Sequence, residues 1–244
     1  MLRKILQPLY TAYVFLTFLV SILIVLPIVA IFSISDNYKG RKRVHSVVRG
    51  WSILWLWLIG MPVKVKGRMP EGRYIIVANH ISYMDTLVIF PAIPSFFRPL
   101  GKKEMSKVPL FGFIYKQIVI LVDRSSAVSR AVSMRLMWRV LRKEGHILLF
   151  PEGTFNETAD TLKSFYDGAF KLALTTQTDI LPLILPDTVD RWHYSAWWKV
   201  WPGKNRAIFL NPVKVNGRQI GQLAEFKQEV FSEMEKELNK YYKP

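Results

Sequence analysis

A run without one charged side chain, from Ile5 to Ile34, constrains this chain more than any other feature. Lys4 stands before it and Asp36 after it. At helical rise, roughly thirty residues extend about 45 Å, beyond the roughly 30 Å of a bilayer's hydrocarbon. The stretch from Ala12 to Ile34 is by itself long enough to span, and Pro27 is a kink that membrane helices tolerate. A cleaved leader has a shorter apolar region and a small-residue cleavage site, and no Ala-x-Ala follows here. The expectation is an uncleaved membrane anchor.

A basic cluster comes next: Lys39, Arg41, Lys42, Arg43 and then Arg49. Positive flanks favour the cytoplasmic side, which predicts a membrane-bound protein with its bulk on that side. Arg3 and Lys4 on the other flank weaken this orientation; if both flanks are cytoplasmic, the segment re-enters instead of spanning. A second apolar stretch, Trp51–Met61, is too short to span and rich in tryptophan, so it is expected to lie flat in the headgroup zone. One spanning helix and two apolar helices folded back in one leaflet both satisfy this pattern. The anchor is assigned to residues 1–62.

Lys and Arg outnumber Asp and Glu by 34 to 18, a formal charge of +16. Such a surplus suits polyanions: nucleic acid, an anionic membrane face or phosphorylated small molecules. No helix-turn-helix, zinc pattern or aromatic RNA-binding motif is present, so nucleic acid is not an expected partner. The absence of cysteine excludes disulfides, thiolate metal sites and a Cys nucleophile. Four scattered histidines form no ligand cluster, and no metal is expected.

After Pro62 the pattern changes. Tyr74–Ala78, Ile118–Val122, His146–Phe150, Ile180–Leu185 and Ala207–Leu210 read as buried strands, and Val63–Lys66 alternates like an edge strand. Helical spacing marks Ser126–Lys143, a shorter piece around Asp167–Gln177, and Gln219–Lys240. The last of these is expected to pack on the core. Residues 63–244 are therefore expected to form one α/β domain, a mixed and mostly buried sheet with helices on its faces, preceded by the helical anchor.

Two segments carry chemistry. Asn79-His80-Ile81-Ser82-Tyr83-Met84-Asp85 follows an apolar strand. On a regular helix, residues five apart diverge by about 140°. His80 and Asp85 can meet only if His80 sits in the turn and Asp85 on the first helical turn. Asp85 would then accept the Nδ1 proton of His80 and leave Nε2 free to take another. Phe150-Pro151-Glu152-Gly153-Thr154 also follows a strand. Glu152 could accept from a substrate hydroxyl or hold a neighbouring loop, and N–H groups around Gly153 could bind an anion.

Together, His-x4-Asp and the later Phe-Pro-Glu-Gly-Thr resemble the lysophosphatidate (1-acyl-sn-glycerol-3-phosphate) acyltransferase family of glycerolipid acyltransferases. Gly101-Lys102-Lys103-Glu104 with Pro109-Leu110-Phe111-Gly112, Asp123-Arg124 and Ile180-Leu181-Pro182-Leu183 add blocks in the family's order. The blocks run from Asn79 to Leu185, under half of the chain. The resemblance implies that residues 63–244 are an acyltransferase domain with His80 and Asp85 catalytic. It implies a substrate-binding set of Lys102, Lys103, Arg124, Glu152, Gly153 and Thr154, with Arg124 on the acceptor's phosphate. The implied reaction moves a fatty acyl group from acyl-CoA or acyl-carrier protein to lysophosphatidate, with no further cofactor and with membrane lipids as partners. Phe155 and Asn156 stand where the family commonly has Arg and Ser, and Tyr166-Asp167 replaces its Lys-x. These departures loosen the acceptor's identity more than the reaction type. Another acceptor, such as glycerol-3-phosphate or an amino-acid lysolipid, and a non-catalytic membrane scaffold are the alternatives.

Overall fold

The computed structural model describes residues 2–35 and 37–242, with side chains from Ile5 onward, so Asp36 and the side chains of Arg3 and Lys4 lie outside it. The uncharged run forms one helix, α1 (Leu2–Ser33), which is long and apolar enough to cross a membrane. It folds back on α2 (Tyr38–Leu58). Asn37 caps α2 by accepting from the Gly40 N–H at 2.9 Å. Gly40 itself is required at this corner, because a Cβ there would stand 2.0 Å from the Ser35 carbonyl oxygen.

The two helices are stitched antiparallel. Trp51 Nε1 donates to Ser21 Oγ (3.0 Å), Trp55 Nε1 to Thr17 Oγ1 (3.3 Å), and Tyr13 to the Leu58 carbonyl (3.0 Å). Trp51–Met61 is therefore not a separate interfacial piece. Most of it is the second half of α2, with Trp51, Trp55 and Leu56 buried and Leu54, Trp57 and Leu58 exposed. The basic residues before it share the same helix because Gly40, Val44 and Val48 give them a buried stripe.

The remaining elements in order are β1 (Val63–Lys66), β2 (Ile75–Ala78), α3 (Asp85–Ala92), β3 (Phe97–Lys102), a 3₁₀ turn over Lys103–Lys107, α4 (Phe111–Ile118) and β4 (Ile120–Val122). There follow α5 (Ala127–Lys143), β5 (His146–Leu149), α6 (Gly168–Thr176), β6 (Ile180–Ile184), the single turn α7 (Thr188–Arg191), β7 (Asn205–Phe209) and α8 (Leu223–Tyr242). The sheet is mixed, in the order β1-β7-β6-β2-β5-β3-β4. Strands β6, β2, β5, β3 and β4 run parallel, whereas β7 opposes β6 and carries β1 parallel to itself at the edge.

Both sheet faces are buried, which is why the central strands read as unbroken apolar runs. Ile76, Ala78, Leu148, Leu181 and Leu183 face a core shared with α1, α2, α3 and α4. Ile75, Val77, Ile147, Leu149 and Ile180 face the other core, which holds α5, α6 and α8. The C-terminal helix buries Phe226, Val230, Met234 and Leu238 there. Residues 192–201 dock on the start of α1: Thr11 Oγ1 donates to the Trp198 carbonyl at 2.8 Å and accepts from the Val200 N–H at 3.3 Å. Trp192 packs edge-on to Phe15 and Trp201 to Tyr10, while Trp197 and Trp198 stay exposed. The tryptophans thus divide between packing and surface.

Candidate active site

Strand β2 is central and buried throughout, and the chain leaves its end into the His80 loop. Asn79 ties that end to β6, its amide donating to the Leu185 carbonyl (3.2 Å) and its oxygen accepting from the Leu185 N–H (2.7 Å). His80 occupies the loop and Asp85 opens α3, the arrangement that their spacing requires. His80 Nδ1 lies 2.9 Å from Asp85 Oδ2. The same oxygen accepts from the N–H groups of Ile81 and Ser82, each at 2.8 Å. With those donors on Asp85, the ring bond reads as Nδ1–H donating, which leaves the Nε2 lone pair free. Nε2 has no hydrogen bond among the described residues.

The second Asp85 oxygen accepts from Thr188 Oγ1 at 2.5 Å. Thr188 is fully buried at the start of α7 and lies 103 positions away along the chain. No local pattern could have nominated it. Four donors thus surround a carboxylate that has no exposure to solvent. A buried charge is tolerated when its lone pairs are filled in this way.

Glu152 differs from its expected place at the substrate. It is fully buried, its Oε1 accepting from the His80 N–H (2.7 Å) and its Oε2 from the Lys163 N–H (3.0 Å). It clasps the His80 loop to the segment after β5, the loop-holding alternative for this residue. Burial pushes its carboxyl up to about 7, against the pull of those two backbone donors. The Asn156 N–H, donating to the His80 carbonyl at 2.8 Å, adds a second clasp.

An apolar cavity of about 270 Å³ begins at His80 and passes between α2, α3, β3 and α4. Val48, Trp51, Leu87, Phe90, Ile114 and Ile118 are among its walls. The His80 ring sits between Phe150 (centroids 4.1 Å, nearly parallel) and Phe155 (4.4 Å). Phe155, one of the departures from the family pattern, therefore packs on His80. Lys102, Arg124 and Gly153 also line the cavity.

The other sequence candidates are placed elsewhere. Lys103 is exposed on the 3₁₀ turn and Thr154 accepts from Lys163 Nζ at 3.0 Å, and neither lines the cavity. Gly153 is fixed by a φ of 77° and by Tyr166, whose ring would stand 2.6 Å from an added Cβ. Its N–H donates to the Phe150 carbonyl at 3.0 Å, so this group is spent within the turn and is not offered to an anion. Arg124 Nη1 donates to the Gly153 carbonyl. That bond draws the guanidinium over the turn beside the cavity mouth.

The Acyltransferase family model matches residues 62–185. The chain is 36% identical over 137 residues to the 1-acyl-sn-glycerol-3-phosphate acyltransferase of Borreliella burgdorferi, covering 54% of each. It is 30% identical over 167 residues to the enzyme of that name from Cocos nucifera, covering 66% of this chain and 53% of the relative. The chain thus spans about half the length of these curated relatives. The crystal structure of the 1-acyl-sn-glycerophosphate acyltransferase PlsC from Thermotoga maritima has the same fold, with a TM-score of 0.80 and 23% identity over 99% of this chain and 98% of that one. With just over half of its residues inside the family model, the chain belongs to the Acyltransferase family.

Proposed function

We propose that the protein transfers a fatty acyl group from a thioester donor to the free hydroxyl of lysophosphatidate, giving phosphatidate. The observation that carries this reading is His80, oriented by Asp85 and open at Nε2, at the head of an apolar cavity flanked by Lys102 and Arg124. In this reading Nε2 takes the hydroxyl proton as the oxygen attacks the thioester carbonyl. The new C–O ester bond forms, the C–S bond breaks, and the proton passes to the departing thiolate. Asp85 stabilises the imidazolium formed in between. Lys102 and Arg124 neutralise the acceptor's phosphate, since charge-assisted contacts are the strong ones. The cavity holds an acyl chain.

Coenzyme A and acyl-carrier protein both remain candidate donors, because the apolar cavity reads the acyl chain and not its carrier. The membrane supplies the acceptor and receives the product. α1 exposes Ile5, Leu9, Leu16, Ile24 and Ile31 along its length while α2 doubles back against the catalytic sheet. A helix so paired is held along the domain, which favours the hairpin lying in one leaflet over a single span. The basic half of α2 favours the cytoplasmic face.

The test is thiol release by purified protein in lipid, with coenzyme A and carrier-protein donors and a panel of lysolipid acceptors. Lysophosphatidate is expected to give the highest kcat/KM, and His80→Ala to abolish turnover while the protein stays folded and membrane-bound. Near-normal release by that variant would overturn the assignment of the base. A preference for another lysolipid would overturn the acceptor.

A further inference from the structure

At the opposite ends of β2 and β5 from His80 lies a second pocket, of about 460 Å³, between the basic half of α2 and the loops entering those strands. Its lining includes Lys42, His45 and Arg49 from α2, Arg73 before β2, and Glu144 and His146 at the start of β5. The polar atoms here are poorly satisfied. His45 is 3% exposed and packs on Phe90, Phe96 and Phe97, yet its Nε2 has no partner. Arg49 Nε and Glu144 Oε2 are likewise buried without partners. Buried donors and acceptors are nearly always paired, so three unpartnered polar atoms beside one pocket suit it to a polar ligand.

The charge balance says what kind. Glu144 is already neutralised by Arg41, 2.7 Å away. Arg73 Nη1 reaches the Leu141 and Arg142 carbonyls at the end of α5 but keeps its charge. Lys42, Arg49 and Arg73 therefore leave the pocket with a surplus of cations. His45 stays neutral, its pKa lowered to about 4 by burial and by Arg49, and His146 is held near 4 by burial and Arg73. An anion would relieve that repulsion. The orphaned Glu144 oxygen asks in addition for a hydroxyl donor beside the anion. The pocket exceeds the needs of a bare phosphate, and its lining includes Tyr38, at the start of α2 beside the hairpin corner where Ile31 and Ile34 are exposed.

We propose that this pocket binds the headgroup of an anionic phospholipid bearing hydroxyls next to its phosphate, of the phosphatidylglycerol type, with the acyl chains running along α1. The phosphate faces Lys42, Arg49 and Arg73, and a headgroup hydroxyl donates to Glu144. The site is separate from the His80 cavity and does not depend on the reaction assigned there.

The test uses full-length protein with ¹⁵N-labelled histidine in micelles, where four histidines give few resonances and His45→Gln assigns the one required. Short-chain dioctanoyl phosphatidylglycerol is expected to shift the His45 ring nitrogens saturably, at least tenfold more tightly than dioctanoyl phosphatidylcholine or glycerol-3-phosphate. The pair Lys42→Gln and Arg49→Gln should weaken that binding at least tenfold at 0.5 M salt, where the Debye length is about 4 Å. Lys39→Gln with Arg43→Gln, outside the pocket but equal in charge, should change it less than threefold. An unmoved His45 overturns the site, whatever His80 does. Equal binding of glycerol-3-phosphate overturns the lipid as its source. Equal or tighter binding of dioctanoyl phosphatidate overturns the hydroxyl contact. Equal losses in the two double variants reduce the effect to diffuse charge and overturn the pocket.

Discussion

Asp85 and Glu152 are both buried carboxyl groups, and their surroundings set them to different tasks. Asp85 accepts from four donors, His80 among them, so replacing it with Asn should misorient the ring and favour the wrong tautomer. We expect a loss in kcat of about 10³- to 10⁴-fold with the fold intact, measured by thiol release and thermal unfolding. Thr188→Val removes one donor from that carboxylate without changing side-chain shape. It should lower kcat roughly 10- to 100-fold, the worth of one hydrogen bond to a charged group, and leave KM almost unchanged. Glu152 has its carboxyl raised from 4.5 to about 7, so the folded chain holds a proton that the unfolded chain has lost. The contribution of this group to stability is therefore greatest below about 4.5 and declines as pH rises to about 7. Melting temperatures of wild type and Glu152→Gln across that range should show the decline in the wild type alone.

Among the elements, the α1–α2 hairpin carries the clearest prediction. Leu54 and Trp57 point outward from α2, so Leu54→Glu with Trp57→Glu should cut partitioning into vesicles at least tenfold without changing the unfolding transition. Equal partitioning would mean that this face does not meet lipid. The sequence disclosed elements in proportion to how uniform their surroundings are. β2, β5 and β6 face apolar layers on both sides, so apolar runs announced them. β3 presents no apolar run, because Arg98, Pro99 and Gly101 interrupt it; its position is set by pairing with β5 and β4. α3 is only eight residues long and contains Pro91. Its first residue, Asp85, spends its carboxylate on the loop before the helix and on Thr188, and so short a helix shows no periodicity. At the site, the turn-then-helix arrangement of His80 and Asp85 followed from spacing alone. Burial of Glu152 and the reach of Thr188 depend on loops brought together from distant strands, which no local pattern encodes.

The molecule as a whole has one apolar flank, one basic helix half and a net charge of +16. Its attraction to anionic vesicles should therefore weaken steeply as salt rises from 0.05 to 0.5 M, while binding to zwitterionic vesicles, driven by the apolar flank, should change little. Cosedimentation at both salt concentrations checks this. The docking of Thr11 on Trp198 and Val200 has a further consequence, one of timing. These partners are 187 and 189 positions apart. At about 5–20 residues per second, roughly 10–40 s separate their emergence from the ribosome. During that interval α1 is exposed without its final neighbours, and a bilayer is the environment that shelters it. Residues 192–201 close on α1 only afterwards, and Thr188, which completes the contacts of Asp85, emerges just before them, so the order of synthesis delivers the chain to lipid before its active site is complete.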